Sequence, residues 1–370
     1  MRFVILREAG GLGDVVRTFP VARGIKARFP GARVDYVCLA GYERLVALSQ
    51  DVDSCVAVGL GARRKRDEKP DPARHGYVAQ LGADDHTTLV DLFCPAYRHE
   101  VLTDGAVTLD RVELFCRAAG VEPTTPRLAV PEDAARRARG ELRSAFGDRG
   151  GPLVGLAPYA THPARSWLGR ERMIGLGRAL AARGCRLVFF HSWKCRRPGR
   201  DEALASEVGA FPALRLAWPL LAAYVRECDL VVSVDTGVFH LAGAVGTSTL
   251  GLFGSTSGEV MRRPYPTHAA MSAGGPSPGC DAPCYGRPSR GYSPEVCGRA
   301  GCELMRRLAA GEVTEAACAV LAAGRGPVET KPPAETVYQQ RRVYPQIASG
   351  AICASPNKCP HPGPTRAGLR

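Results

Sequence analysis

The chain reads as an α/β protein made of two parallel-sheet halves that face each other across a cleft. Three observations predict this. Near the start, the apolar run Arg2–Arg7 breaks at Gly10-Gly11-Leu12-Gly13-Asp14 into a helical pattern. Far downstream, the run 229–234 breaks in the same way at Asp235-Thr236-Gly237-Val238-Phe239-His240. Around both, short apolar strands alternate with helical periods, which is the pattern of βαβ units and parallel sheets. Such sheets hold ligands beyond the carboxyl ends of their strands. A helix that begins there offers N–H groups with no partner inside the helix, at the positive end of its dipole. Two such starts predict one ligand site assembled from both halves.

With 370 residues the chain is long enough for two cores, because a single core stops growing at about 250–300 residues. No apolar run approaches the roughly 18 residues of a membrane span. The apolar run 3–6 is too short for a secretory signal, so the expected location is cytoplasmic. The net charge of +13 favours anionic partners such as nucleotide phosphates or an acidic glycolipid. No zinc finger, RNA-binding signature or basic run interleaved with aromatics is present, which argues against nucleic acid. Fourteen cysteines without a secretory signal read as thiols rather than disulfides. Cys38, Cys55, Cys185 and Cys228 lie in or beside apolar runs and read as small hydrophobes.

Element by element, Val15, Val16, Phe19, Ala22, Ile25 and Phe29 recur at helical spacing and predict one helix, stopped by Pro30-Gly31. Strands are predicted at 33–39, 55–58 and 88–92, with a charged loop at 63–74. Helices follow near 108–119 and 132–146, and 147–152 reads as a linker. Beyond it come a strand at 153–158, a helix at 170–183 capped by Gly184, a strand at 185–191 and a helix near 200–208. The strand 229–234, a helix at 236–245, a strand at 249–253 and a helix at 303–323 complete the pattern. The predicted domains are 1–150 and 151–325, and a Pro/Gly-rich basic tail, 326–370, is expected to be flexible.

Several residues could carry chemistry. Asp14, at a glycine-rich turn where Gly11 and Gly13 let a ligand approach the backbone, could act as a general base on a hydroxyl or simply cap its helix. Asp235 sits where an N-cap would. The N–H groups of Thr236, Gly237 and Val238 could hold a pyrophosphate, with His240 one turn further on. The loop 157–167 places Thr161 and Arg165 at the same rim. Arg165 suits a phosphate, and Trp167 reads as a packing anchor. Asp201 and Glu202 could accept hydrogen bonds from a sugar or ribose, although acids are common at helix starts. Cys280, Cys284, Cys297 and Cys302 could form a structural four-thiolate zinc site, but their irregular spacing favours free thiols. Asp51-Val52-Asp53 resembles a metal motif and reads as a turn.

The strand ending in Gly13-Asp14, the Arg165-Ser166-Trp167 loop and Asp235-Thr236-Gly237-Val238-Phe239-His240-Leu241-Ala242, in this order, resemble glycosyltransferase family 9, the lipopolysaccharide heptosyltransferase family, over roughly residues 1–325. The resemblance implies a GT-B architecture of two Rossmann-like domains facing across a cleft, residues 1–150 taking the acceptor and 151–325 the donor. It also implies inverting, metal-independent transfer of a heptose-like sugar, without a cofactor, from a nucleotide-sugar donor such as ADP-heptose to a glycan or glycolipid acceptor. Asp14 would be the base, Arg165 would stand where the family's lysine balances the departing diphosphate, and Asp235-Thr236-Gly237 would hold that diphosphate. A glycolipid acceptor further implies peripheral contact with the inner membrane face. The chain departs from the pattern with Arg165 for lysine, Leu168 for proline and Gly243 for alanine. The alternative reading is a nucleotide-sugar-binding protein, or a GT-B isomerase, that transfers nothing to an acceptor.

Overall fold

A computed structural model describes residues 1–62, 75–81, 86–93, 109–147, 150–161, 165–167, 169–190, 198–274, 280, 282–284 and 302–324. The charged loop 63–74 and the tail 326–370 lie outside these residues. Residues 1–331 form one compact unit. Among the described residues its strands all run parallel, in two sheets. The first contains β1 (Arg2–Arg7), β2 (Arg33–Leu39), β3 (Ser54–Val58) and β4 (Thr87–Asp91), in the order β3-β2-β1-β4. The second contains β5 (Leu153–Ala157), β6 (Arg186–Phe190), β7 (Ala210–Ala213), β8 (Leu230–Val234), β9 (Thr249–Phe253) and β10 (His268–Ser272), in the order β10-β9-β8-β5-β6-β7. That second order is the Rossmann pattern, whose direction reverses between β5 and β8. In the first sheet the reversal falls between β1 and β4. The loops that follow β1, β5 and β8 therefore open at switch points.

Strands β5, β8 and β9 are buried from end to end, which is why they read as unbroken apolar runs rather than alternating ones. Asp51 lies in a turn, and Asp53 directly precedes β3. They are occupied by Arg23 at 3.2 Å and Lys26 at 2.7 Å, and Asp53 also accepts the Val34 N–H at 2.8 Å. Gly184 takes φ +79° just past the helix Arg170–Ala182, as a left-handed cap should.

Three expectations need correction. The helix predicted after Gly13 is two helices, Leu12–Val16 and Phe19–Arg28. Pro20 has no N–H to continue the first helix, and the Thr18 hydroxyl turns back to the Val15 carbonyl at 2.7 Å. The helix predicted at 303–323 is likewise divided into Glu303–Arg307 and Ala310–Ala323. The Leu308 carbonyl at the break accepts the indole N–H of Trp167 at 3.1 Å, so Trp167 anchors packing as expected. Finally, the N-cap of the helix Gly237–Val245 is Thr236, one residue later than the Asp235 position expected. Among the described residues, no helix is long and apolar enough to cross a membrane.

Candidate active site

The first switch brings a carboxylate to the end of β1. Gly10 has φ +102°, and a Cβ there would lie 2.6 Å from the Asp14 Cβ, so only glycine lets the chain turn this tightly. Gly11 is the N-cap of Leu12–Val16 and donates its N–H to Asp14 Oδ2 at 3.0 Å. The other oxygen, Oδ1, meets three arginines: Arg17 at 2.9 Å, Arg7 at 3.8 Å and Arg111 in close contact. Asp14 thus caps its helix and also faces a cationic cluster. Burial on its own would raise its pKa. Arg111, Arg17 and Arg7, with the Gly11 N–H, outweigh burial and hold the carboxyl well below its ordinary range. Arg7 is fixed from behind by donation to the Leu92 carbonyl at 2.9 Å and by the Phe115 ring 5.1 Å away.

The second switch places Asp235 between Arg165, at 3.4 Å, and His240, at 3.7 Å. Burial again works against the carboxylate, but Arg165 and then His240 outweigh it, and Asp235 stays ionised. Burial, reinforced by Arg17, lowers the pKa of His240 to about 4, so its imidazole is neutral near pH 7. Thr236, Gly237 and Val238 are partly exposed. The first inward bond of this helix is Phe239 N–H to Thr236 O at 3.1 Å, so the N–H groups of Gly237 and Val238 precede the hydrogen-bonded turns.

The two helix starts press against one another. A Cβ on Gly237 would lie 2.6 Å from the Leu12 Cβ, and one on Gly13 would fall onto the His240 ring. Arg17 lies along the seam. It donates to the Gly13 carbonyl at 3.1 Å and to Asp14, and reaches Met261 Sδ of the second half at 3.8 Å.

Asp14, Gly11, Gly13, Arg165, Asp235, Thr236, Gly237, Val238 and His240 are thereby gathered around one seam. Thr161 is exposed, beside residues 162–164, which are not described. Asp201 is buried and Glu202 exposed on the helix Pro198–Glu207, which packs on β7 at the far edge of the second sheet. Cys280 and Cys284 are half-buried and Cys302 is buried, while Cys297 lies outside the described residues. Among those residues, no group of three His, Cys, Asp or Glu side chains could hold a metal.

Sequence reasoning missed Arg7, Arg17, Arg111 and Tyr265. Only Arg17 carried a local signal, lying one helical turn after Asp14.

The residues 74–281 match the description glycosyltransferase family 9 (heptosyltransferase). The chain belongs to this family. Lipopolysaccharide heptosyltransferase 1 of Pseudomonas aeruginosa is 27% identical over 290 residues, which are 69% of this chain and 79% of that protein. The structure of E. coli ADP-heptose lipopolysaccharide heptosyltransferase II superposes with a TM-score of 0.63 at 16% identity, covering 87% of this chain and 99% of the other. E. coli heptosyltransferase WaaC with ADP-2-deoxy-2-fluoro heptose gives a TM-score of 0.51 at 18% identity, over 74% and 94% of the two chains. The fold is GT-B, and this family 9 member is a glycosyltransferase enzyme. Its departure at Gly243 has a steric reason: a Cβ there would lie 2.6 Å from Cγ of the Tyr265 ring.

Proposed function

We propose that this enzyme transfers heptose from ADP-heptose to a hydroxyl of a lipopolysaccharide acceptor, with inversion and without a metal ion. The observation that carries the reading is the seam itself: the helix start that bears the Asp14 carboxylate packs directly against the helix start at Thr236–Val238. Relatives named for lipopolysaccharide heptosyl transfer and ADP-heptose support the choice of sugar and acceptor. In this reading the diphosphate rests on the N–H groups of Gly237 and Val238. Arg165 balances the negative charge that grows on the leaving ADP, and Asp14 takes the proton of the acceptor hydroxyl as oxygen attacks the anomeric carbon from the opposite face.

A carboxylate clasped by three guanidiniums is a weak base. Arg111 is the most exposed of the three, with 25% of its side-chain surface accessible against 8% for Arg17 and 6% for Arg7. An anionic group on the acceptor would draw Arg111 away, and loss of that cation would raise the basicity of Asp14 at the moment of need.

The test is transfer from ADP-heptose to a truncated lipopolysaccharide, read as ADP release together with a mass gain of one heptose. Asp14→Asn should reduce turnover by roughly 10²–10⁴-fold, the range of a general-base contribution, while ADP still stabilises the protein in a thermal shift. Parental turnover in that variant would overturn the base assignment. Absence of any shift with ADP or ADP-heptose would overturn the donor.

A further inference from the structure

We infer that Tyr265 is a positioning residue for His240, its hydroxyl fixing the ring tautomer that points Nε2–H at Asp235, beside the donor's diphosphate. The inference rests on the placement of that diphosphate at Gly237 and Val238. Tyr265 lies in the turn between the helix Gly258–Arg262 and β10, where its N–H donates to the Arg262 carbonyl at 2.8 Å. Its ring is buried edge-on to Phe239, 6.0 Å between centroids, and 4.8 Å from the His268 ring. Room for the ring comes from Gly243 in the helix Gly237–Val245, where any Cβ would stand 2.6 Å from the Tyr265 Cγ and 2.7 Å from Cε1. Glycine in a helix interior is less stable than alanine; here it admits an aromatic ring whose oxygen reaches His240.

That oxygen lies 3.0 Å from His240 Nδ1, and the opposite nitrogen, Nε2, faces Asp235 Oδ1 at 3.7 Å. An ionised carboxylate can only accept, so the single proton of the neutral ring belongs on Nε2. Nδ1 is then left as an acceptor, and the Tyr265 hydroxyl donates to it. Burial keeps the phenol protonated and able to do so. Gly13, where an added Cβ would fall onto the ring's Cδ2, leaves room for the imidazole on one edge, and the bond from Tyr265 at Nδ1 holds the other. Nε2–H is thereby held toward Asp235 Oδ1, the carboxylate that immediately precedes the helix start at Thr236. Phenylalanine at 265 would fill the same volume and supply no proton.

The experiment uses the full-length protein with ¹⁵N-labelled histidine, ring signals of His240 being assigned by their loss in His240→Gln. The parental protein should show the Nε2–H tautomer. Tyr265→Phe should show Nδ1–H appearing alongside it and a roughly two- to tenfold weaker ADP affinity, the effect of losing one neutral hydrogen bond. An Nδ1–H ring in the parental protein would overturn the inference. So would a Tyr265→Phe protein whose tautomer and ADP affinity are both unchanged, since Tyr265 would then be packing alone. If the parental protein fails to bind ADP, the donor site falls, while the ring spectra still decide what Tyr265 does. Gly243→Ala should lower Tm by several degrees and Gly243→Ala/Tyr265→Leu should recover part of it. Parental stability in Gly243→Ala would overturn the paired roles of these two residues.

Discussion

The two oxygens of Asp14 have different partners, Gly11 N–H on one side and the arginine cluster on the other, and this split makes its protonation testable. Arg111→Met removes the cation that contributes most to lowering the Asp14 pKa. The acidic limb of kcat/KM, which reports the free enzyme, should therefore move to higher pH in that variant, as measured by a pH–rate series. Two buried histidines make a second residue-scale case. Burial lowers His240 to about 4 and His268 to about 3, against about 6.5 in an unfolded chain. As pH falls from about 6.5 to 4, the unfolded chain gains protons that the native site refuses, so stability declines through that window. Asp14 and Asp235 work lower down. Their native pKa values lie below the usual 3.8, so the stability they contribute is present above it and lost on further acidification. Thermal melts from pH 7 to pH 4 should show a falling Tm, and the slope should be shallower in His268→Gln. Asp14 and His240 were legible in the sequence because each occupies a fixed offset from a strand-to-helix switch. Arg111 and Tyr265 were not, because what brings them to the site is the fold itself, across 97 and 25 residues of chain.

Helix starts are the elements that carry the site, and the closeness of their approach can be tested. Gly13→Ala sets a methyl group against the His240 ring. Overpacking of this kind costs about 1–3 kcal/mol and would also push the two switches apart, so both Tm and kcat/KM should fall. Gly140→Ala provides the contrast. It lies exposed in the helix Glu132–Phe146 with nothing within 4 Å of the new Cβ, and should add about 0.5–1 kcal/mol of stability in chemical denaturation. The same scale shows where sequence patterns run out. The helix Trp218–Glu227 went unread because Leu220–Val225 are buried one after another, and a helix covered all round loses its 3.6-residue stripe. β7 holds Pro212, tolerated because it is an edge strand, and β10 is a short edge strand containing two weak strand formers, Ala269 and Ala270. The divided helix near Leu308 had no proline or glycine at the break to announce it. Trp167, 141 residues away, marks the place.

Across the whole molecule, apolar packing joins the two sheets. The largest cluster takes in Val16 and Phe19 from the first half and Leu220 and Leu241 from the second. Trp218 stacks on Tyr42 with centroids 5.4 Å apart and donates to the Gly41 carbonyl at 2.5 Å. Equilibrium unfolding followed by tryptophan fluorescence and by far-UV circular dichroism should therefore give coincident transitions; two separated transitions would show that the sheets melt independently. Both switches and the alternating strands were legible at this scale, but the stitching between them was not, because it depends on backbone groups that no side-chain pattern reports. Leu128 donates its N–H to the Ala244 carbonyl at 2.9 Å, and its neighbour Ala129 donates to Leu48 at 2.9 Å. Ala244 is the last residue but one of the nine-residue helix that opens at Gly237, a rod about 13 Å long. That rod is tied near its tail to the first half, so sliding its opening turn along the seam would strain the Leu128 bond.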